Sequence, residues 1–305
     1  MLVYRIARAT SCLYRGFSEV EQGNFGIELT LRGRDQLAGL VQSFNRMARH
    51  LNQSIEERAR REAIERELEI ARQLQRSLLP SASFRAPGVE IAADFLPASA
   101  IGGDFYHFAQ WGENRLLVAI ADVSGHGLST GIVMSAAKAL LSALATDYCP
   151  CPELLRRLDT ELRAHTARRH FVTLGLAAFD LGKGLVELTN AGHPYPYRLQ
   201  RDGTLSEVEN PSRPLGVGLP QDFRCVPAEV APGDLWIFYS DGVIEAQNPQ
   251  GEVFGFERFE AVLATCAGKT AAETRDCVLA AWQAFAGCDC PEDDRTLLVL
   301  RILPG

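Results

Sequence analysis

Nowhere in the 305 residues does an apolar run reach the roughly 18–20 residues that a bilayer-spanning helix needs, so the sequence predicts no transmembrane segment. No stretch reads as a secretory leader with a cleavage site, so none is expected. Eight cysteines scattered over a chain of this length do not form the dense framework of a small disulfide-stapled domain, and the expected setting is a reducing cytoplasm. Excess positive charge is also absent: the formal net charge is −7. The first 80 residues contain no Lys and carry 13 Arg against 10 acidic residues, which leaves 18 basic and 28 acidic residues in the remainder. Phosphate backbones demand a basic footprint, so the acidic larger part excludes nucleic acid as its partner and suits a protein that collects cations. What remains is globular in composition, 47% hydrophobic and 23% charged, and long enough for one large domain with a smaller module.

Three parts follow from the patterning. In residues 1–52, Val3, Ile6, Thr10, Leu13, Phe17 and Val20 recur at steps of three and four, the seam of a helical bundle or coiled coil. A glycine-containing connector, EQGNFGIELTLRGR, leads to a second helix on which Leu37, Leu40, Val41, Phe44, Met47 and Leu51 repeat the pattern, with Asp35 placed as its cap. Two such helices cannot bury their seams alone, which predicts pairing with a second copy. Residues 53–80 read as a charged helical linker: Ile64, Leu68, Ala71, Gln75 and Leu78 continue a heptad seam until Pro80 stops it. That segment is either a solvated spacer or a lever carrying motion from the first part into the third.

Residues 81–305 hold the candidate chemistry. Extended segments are expected near 89–97, 103–108, 115–121, 172–179, 185–190, 225–230, 234–239 and 296–302. Helices are expected near 127–146, 152–167, 256–266 and 271–286. Strands come in neighbouring runs rather than in alternation with helices, so the fold class is α+β with antiparallel sheets flanked by helices. Leu116 to Ala121 is a buried strand that exits at Asp122, passes through Ser-Gly-His-Gly and re-enters a helical pattern. Asp104 in AIGGDFYHF, Asp241 in LWIFYSDGVIEA and the Asp293–Asp294 pair in CPEDDRTLLVLRI occupy equivalent strand ends. Any one of them is satisfied by ordinary turn chemistry. Taken together, short carboxylates on rigid strand ends are what a hard octahedral cation needs, and without a cation they would repel one another.

The ordered series IGGDFY, ADVSGHG, FVTLGLAAFD, NAGHPYPYRL, PLGVGL, APGDLWIFYSDGVIEAQN and EDDRTLLVLRI, preceded by ARQLQRSLLP, resembles the PPM-type metal-dependent serine/threonine phosphatases. Within them it resembles the bacterial sporulation and stress-sigma regulator (SpoIIE-like) branch. EQGNF, GRDQLAGL and SFNRMARHL resemble the HAMP signal-relay module, departing from it at Gln36 and Ala38. HAMP modules normally follow a transmembrane helix, so the expected membrane link is an upstream segment absent from this chain, and a plain dimerising coiled coil fits the same pattern. The phosphatase resemblance implies an α-β-β-α sandwich with two Mn²⁺ or Mg²⁺ ions between its sheets. Asp104 and Asp122 would bracket the ions, the Val123 carbonyl would add a ligand, and Asp241 and Asp293 would complete the site, with Asp294 a neighbour or further ligand. It also implies that the helix ending in QRSLLP controls the site. The implied substrate is a phosphorylated STAS-domain anti-anti-sigma factor, acted on by a homodimer paired through the N-terminal helices. The contrasting expectation is a catalytically silent docking module of the same fold.

His126 beside Asp122 reads either as an acid for the leaving oxygen or as a loop residue bonded to backbone. His193 before Pro194 reads as structural, and His107 stands where the family often has an acid. Cys151 and Arg157 have the spacing of cysteine phosphatases, but the intervening PELLR reads as helix rather than a phosphate cradle. AGKT at 267–270 mimics the end of a Walker A loop without its upstream glycine or its strand. The Cys149/Cys151 and Cys288/Cys290 pairs read as free thiols, and oxidation of the second pair is expected to disturb the neighbouring aspartates.

Overall fold

The computed structural model describes residues 2–31, 36–125, 127–165, 170–218, 221–287 and 291–304. It divides into two compact units, Met1–Ile70 and Ala71–Gly305. Among the described residues no helix is long and apolar enough to cross a membrane.

In the first unit α1 (Leu2–Glu21) and the N-terminal part of α2 (Gln36–Leu78) pack around Leu29, Val41, Phe44 and Ala48. Asn45 pins the connector, its Oδ1 accepting from the Leu29 amide at 3.0 Å and its Nδ2 donating to the Leu29 carbonyl at 2.8 Å. The sequence separates a helix ending near residue 52 from a linker at 53–80, whereas α2 runs without interruption to Leu78. Gly39 is the last glycine before that end and no proline intervenes, so nothing breaks the backbone ladder. Asp35, the expected cap, lies outside the described residues.

The second unit stacks four layers. Its strands are β1 (Ser83–Ala86), β2 (Val89–Leu96), β3 (Phe105–Trp111), β4 (Arg115–Val123), β5 (Val172–Asp180), β6 (Leu185–Ala191), β7 (Tyr197–Leu199), β8 (Leu205–Glu207), β9 (Cys225–Glu229), β10 (Leu235–Tyr239) and β11 (Arg295–Ile302). One antiparallel sheet runs β1-β2-β11-β10-β7-β8 and the other β3-β4-β5-β6-β9. Helices α3 (Leu128–Leu144) and α4 (Cys151–His165) cover the five-stranded sheet. The one-turn α5 (Asp241–Ile244), α6 (Gly255–Ala264) and α7 (Ala271–Ala286) cover the six-stranded sheet. This is the α-β-β-α sandwich that the sequence resemblance implies. The sequence reading missed β1, β7, β8 and α5, all of four residues or fewer.

Alternation builds the layers. On β4, Leu117, Ala119 and Ala121 face the helices, while Leu116, Val118 and Ile120 meet Trp236 and Phe238 of β10 and Leu298 and Leu300 of β11 between the sheets. Carried two residues further, the inter-sheet face of β4 ends on Asp122. The same step takes β10 to Ser240 and takes β11 back to Thr296. Three polar positions therefore open the sandwich at one end.

Candidate metal centre

The five aspartates singled out in the sequence surround that open end. Asp104 immediately precedes β3 and is buried; Asp122 is the penultimate residue of β4; Asp241 opens α5; Asp293 and Asp294 lead into β11. Thr296 donates its hydroxyl to Asp104 Oδ2 at 2.6 Å, which fixes the carboxylate. The other oxygen, Oδ1, is buried with no hydrogen-bond partner among the described residues. Ser240 Oγ donates to the Asp294 carbonyl at 3.2 Å and accepts from the Thr296 amide at 2.9 Å, tying the β10 exit to the β11 entrance.

The adjacent aspartates 293 and 294 do different things. Asp294 Oδ1 accepts from the Ala98 amide at 2.7 Å, and its Oδ2 accepts from the amides of Gly103 and Asp104. Its carboxylate is thus occupied in holding the 98–104 loop. Among the described residues Asp293 makes one such bond, Oδ1 accepting from the Asp294 amide at 2.8 Å.

The glycine pair before Asp104 is a steric requirement. A Cβ on Gly102 would lie 2.6 Å from Asp294 Oδ2, and one on Gly103 would lie 2.7 Å from the Val123 carbonyl oxygen and 3.3 Å from Asp122 Oδ1. Only bare backbone lets the loop thread between Asp294 on one side and Asp122 with Val123 on the other. Gly242 serves the same end, since a Cβ there would collide with the Asp294 carbonyl.

Burial raises Asp104 well above the usual carboxylate range, with the charges of Asp122 and Asp294 adding to it. Asp122 is pushed up to about 7 by burial, then by Asp241 and Asp293; Asp241 is pushed up to about 6 by burial, then by Asp293 and Glu245. The hydroxyls of Thr296 and Ser240 beside Asp104, and backbone amides beside Asp241, offset these shifts in part. The set therefore has the donor chemistry of a site for divalent cations: hard oxygens, mutual repulsion and a buried oxygen lacking a partner. Among the described residues no group of three or more His, Cys, Asp or Glu side chains converges as a ready-made cage.

His126 is outside the described residues. His193 is buried against Thr173, whose Oγ1 lies 2.9 Å from its Nδ1, and Asn190 brackets its backbone; burial lowers its pKa to about 3, so it is a neutral structural residue, as the sequence suggests. Burial, then Lys138, lowers the pKa of His107 to about 4, and its Nδ1 sits 2.9 Å from Lys138 Nζ on α3. No sequence motif marks His170, yet its Nδ1 lies 3.0 Å from the Ser124 carbonyl beside the Asp122 turn.

The sequence offers Gln75 only as a seam position. It is buried, and it bonds both backbone groups of Gly102, two residues before Asp104. A glutamine at a seam position was the available signal. Arg72 Nε donates to the Ala100 carbonyl at 3.0 Å on the same loop.

Both decoys resolve as expected. Cys151 begins α4 with a buried thiol whose pKa burial pushes up, and Thr270 caps α7 with no strand leading into it. Cys149 and Cys151 are free; Cys288 and Cys290 lie outside the described residues.

Comparison with known proteins agrees with this architecture. Phosphoserine phosphatase RsbU of Bacillus subtilis is 29% identical over 189 residues, covering 62% of this chain and 56% of RsbU. The chain spans about half the length of the curated relatives it matches. Among solved structures, the SiaA-PP2C domain of Pseudomonas aeruginosa superposes with a TM-score of 0.70 at 22% identity, over 80% of this chain and 99% of that one. The RsbU and RsbW domains of Rv1364c from Mycobacterium tuberculosis superpose with a TM-score of 0.63 at 27% identity, over 73% and 62%. The family model described as Stage II sporulation protein E (SpoIIE) matches residues 112–303, most of the sandwich with Asp122, Asp241, Asp293 and Asp294 inside it, and the chain belongs to that family.

Proposed function

We propose that the chain is a metal-dependent protein serine/threonine phosphatase of bacterial sigma-factor signalling, with two Mn²⁺ or Mg²⁺ ions as cofactors. The observation that carries this reading is the set of mutually repelling aspartates at the open end of the sandwich, with Asp104 Oδ1 buried and without a hydrogen-bond partner among the described residues. When bound, the ions supply Lewis acidity toward a phosphoryl oxygen and activate water for in-line attack.

The chain's own residues do the rest. Asp104, Asp122, Asp241 and Asp293 hold the ions, with the Val123 carbonyl as a further oxygen beside Asp122. Thr296 orients Asp104, and Asp294 fixes the 98–104 loop so that Asp104 faces its partners. Gly103 leaves open the space between Val123 and Asp122. None of the described residues is assigned the proton that the leaving serine or threonine oxygen requires.

The substrate is a phosphorylated STAS-domain anti-anti-sigma factor, in keeping with the likeness to a phosphoserine phosphatase and to RsbU and RsbW domains. Exposed Ile6, Phe17, Leu40, Met47 and Leu51 on the first unit support homodimerisation through the N-terminal helices. The test is phosphate release from a phosphoserine STAS-domain protein with Mn²⁺, alongside para-nitrophenyl phosphate. Release that needs metal and disappears in Asp241→Asn supports the reading. Binding of the STAS protein without release under any metal would replace it with the silent docking module.

A further inference from the structure

A second chemistry-bearing cluster lies at the return between α6 and α7, outside the carboxylate site. The chain folds back there through Thr265 N donating to the Val262 carbonyl at 3.0 Å and Lys269 N donating to the Cys266 carbonyl at 3.1 Å. Gly268 takes a φ of +79°, and Thr270 then starts α7 with a reciprocal cap to Glu273. This return sets Cys266, just past the end of α6, against Cys277 on α7.

Two groups touch both sulfurs. Lys269 Nζ lies 3.5 Å from Cys277 Sγ and 4.0 Å from Cys266 Sγ, and Thr265 Oγ1 lies 3.8 Å and 3.9 Å from the same pair. Cys266 is buried and its thiol points at the Val262 carbonyl at 3.4 Å, whereas Cys277 is half-buried and reaches solvent. The two thiols are therefore unequal. Burial pushes Cys277 up, but Thr265, Cys266 and Lys269 together outweigh it and hold this thiol below its ordinary range. Cys266 stays raised, by burial first and then by Cys277. Burial also raises Cys151 and Cys225. An ammonium over two sulfurs, one accessible and one enclosed, is the arrangement of an attacking thiolate with a resolving thiol.

We propose that Cys277 and Cys266 form a hydroperoxide-reactive dithiol, with Cys277 as the attacking sulfur, Cys266 as the resolving one and Lys269 as the cation that holds the attacking thiolate. In the first step the Cys277 thiolate forms an S–O bond to one peroxide oxygen and the O–O bond breaks. The departing oxygen takes a proton and leaves as water, or as an alcohol from an alkyl hydroperoxide. The peroxide is reduced by two electrons and Cys277 becomes a sulfenic acid. In the second step Cys266 loses its proton and attacks the Cys277 sulfur, the S–O bond breaks, and hydroxide leaves with that proton as water. The product is a Cys266–Cys277 disulfide that staples α6 to α7 on the outer face of the six-stranded sheet.

The test uses the full reduced chain, treated with a small excess of hydrogen peroxide near neutral pH, blocked with N-ethylmaleimide and digested with trypsin without reduction. Cleavage after Arg258, Lys269 and Arg275 places Cys266 in peptide 259–269 and Cys277 in peptide 276–295, where fragment spectra separate it from Cys288 and Cys290. The expected product is the linked pair, two hydrogens lighter than its parts and lost on treatment with dithiothreitol. Cys277→Ser abolishes it, and Cys266→Ser leaves a sulfenic acid on Cys277 that dimedone captures. Lys269→Gln slows iodoacetamide capture of Cys277 by about tenfold for each unit its pKa rises, and Lys269→Arg retains the fast rate. The proposal is overturned if Cys277 reacts no faster than Cys225. It is equally overturned if peroxide oxidises other cysteines while the 266/277 pair stays reduced.

Discussion

Gln75 closes both backbone groups of Gly102, its Nε2 donating to the carbonyl at 2.6 Å and its Oε1 accepting from the amide at 3.0 Å. The pair ties the end of α2 to the loop that delivers Asp104. Gln75→Ala strands two buried backbone groups, at about 1–3 kcal/mol each. The expected result is lower phosphate release at limiting Mn²⁺, recovered in part by raising the metal concentration. A metal titration that superposes on the native curve would show that the contact does not position the site.

In the proposed reading Asp293 is a metal ligand, whereas Asp294 holds the 98–104 loop through its amides. Asp293→Asn is expected to abolish Mn²⁺-dependent turnover without lowering the melting temperature of the metal-free protein. Asp294→Asn keeps only one of the two oxygens that accept from Ala98 on one side and from Gly103 and Asp104 on the other, and is expected to cost about 1–3 kcal/mol of stability. Thermal melts in EDTA, paired with turnover in Mn²⁺, distinguish them; the reverse pattern would exchange their roles.

Much of this was legible in the chain, and what was hidden had physical reasons. β4 and β11 are buried on both faces and read as near-continuous apolar runs, so these strands and the aspartates at their ends could be placed directly. β7 and β8 are three residues each, too short to display alternation, and Pro194 and Pro196 precede the first. α5 is a single turn written as Ser-Asp-Gly, which reads as turn chemistry. The division of labour between two adjacent identical aspartates has no local signature, because it depends on loop amides about 190 residues away in the chain. Gln75 was placed on its helix, but the backbone it meets comes from a different segment.

The shifted carboxylates contribute a pH dependence to the metal-free protein. With Asp122 pushed up to about 7 and Asp241 to about 6, the folded state keeps protons that the unfolded chain releases at ordinary carboxylate pH, so this contribution to stability falls as pH rises from about 4 to about 7. Buried His107 and His193, lowered to about 4 and about 3, act in the opposite sense, and their contribution rises with pH until the unfolded imidazoles lose their protons near about 6.5. The carboxylate part is therefore read as the difference in melting temperature in EDTA between Asp122→Asn and the native chain. That difference should grow in favour of the variant between about pH 4 and pH 7. A difference that stays constant over this interval would contradict the repulsion.

Gly103 has no room for a side chain. Gly103→Ala would bring a Cβ to 2.7 Å from the Val123 carbonyl and 2.9 Å from Thr130 Cγ2, an overpacking worth about 1–3 kcal/mol that falls on the site itself. Turnover should drop while the circular dichroism spectrum stays native. Gly39→Ala on α2, with nothing within 4 Å of the added carbon, serves as the control and should gain up to about 1 kcal/mol. Equal effects from the two substitutions would remove the steric argument.

The most direct measurement is phosphate release from para-nitrophenyl phosphate with Mn²⁺ added, comparing the native chain with Asp122→Asn. The account predicts turnover that vanishes in EDTA and falls by about a hundredfold or more in the variant. Native turnover that persists unchanged in EDTA, or an Asp122→Asn variant as active as the native chain, would contradict it.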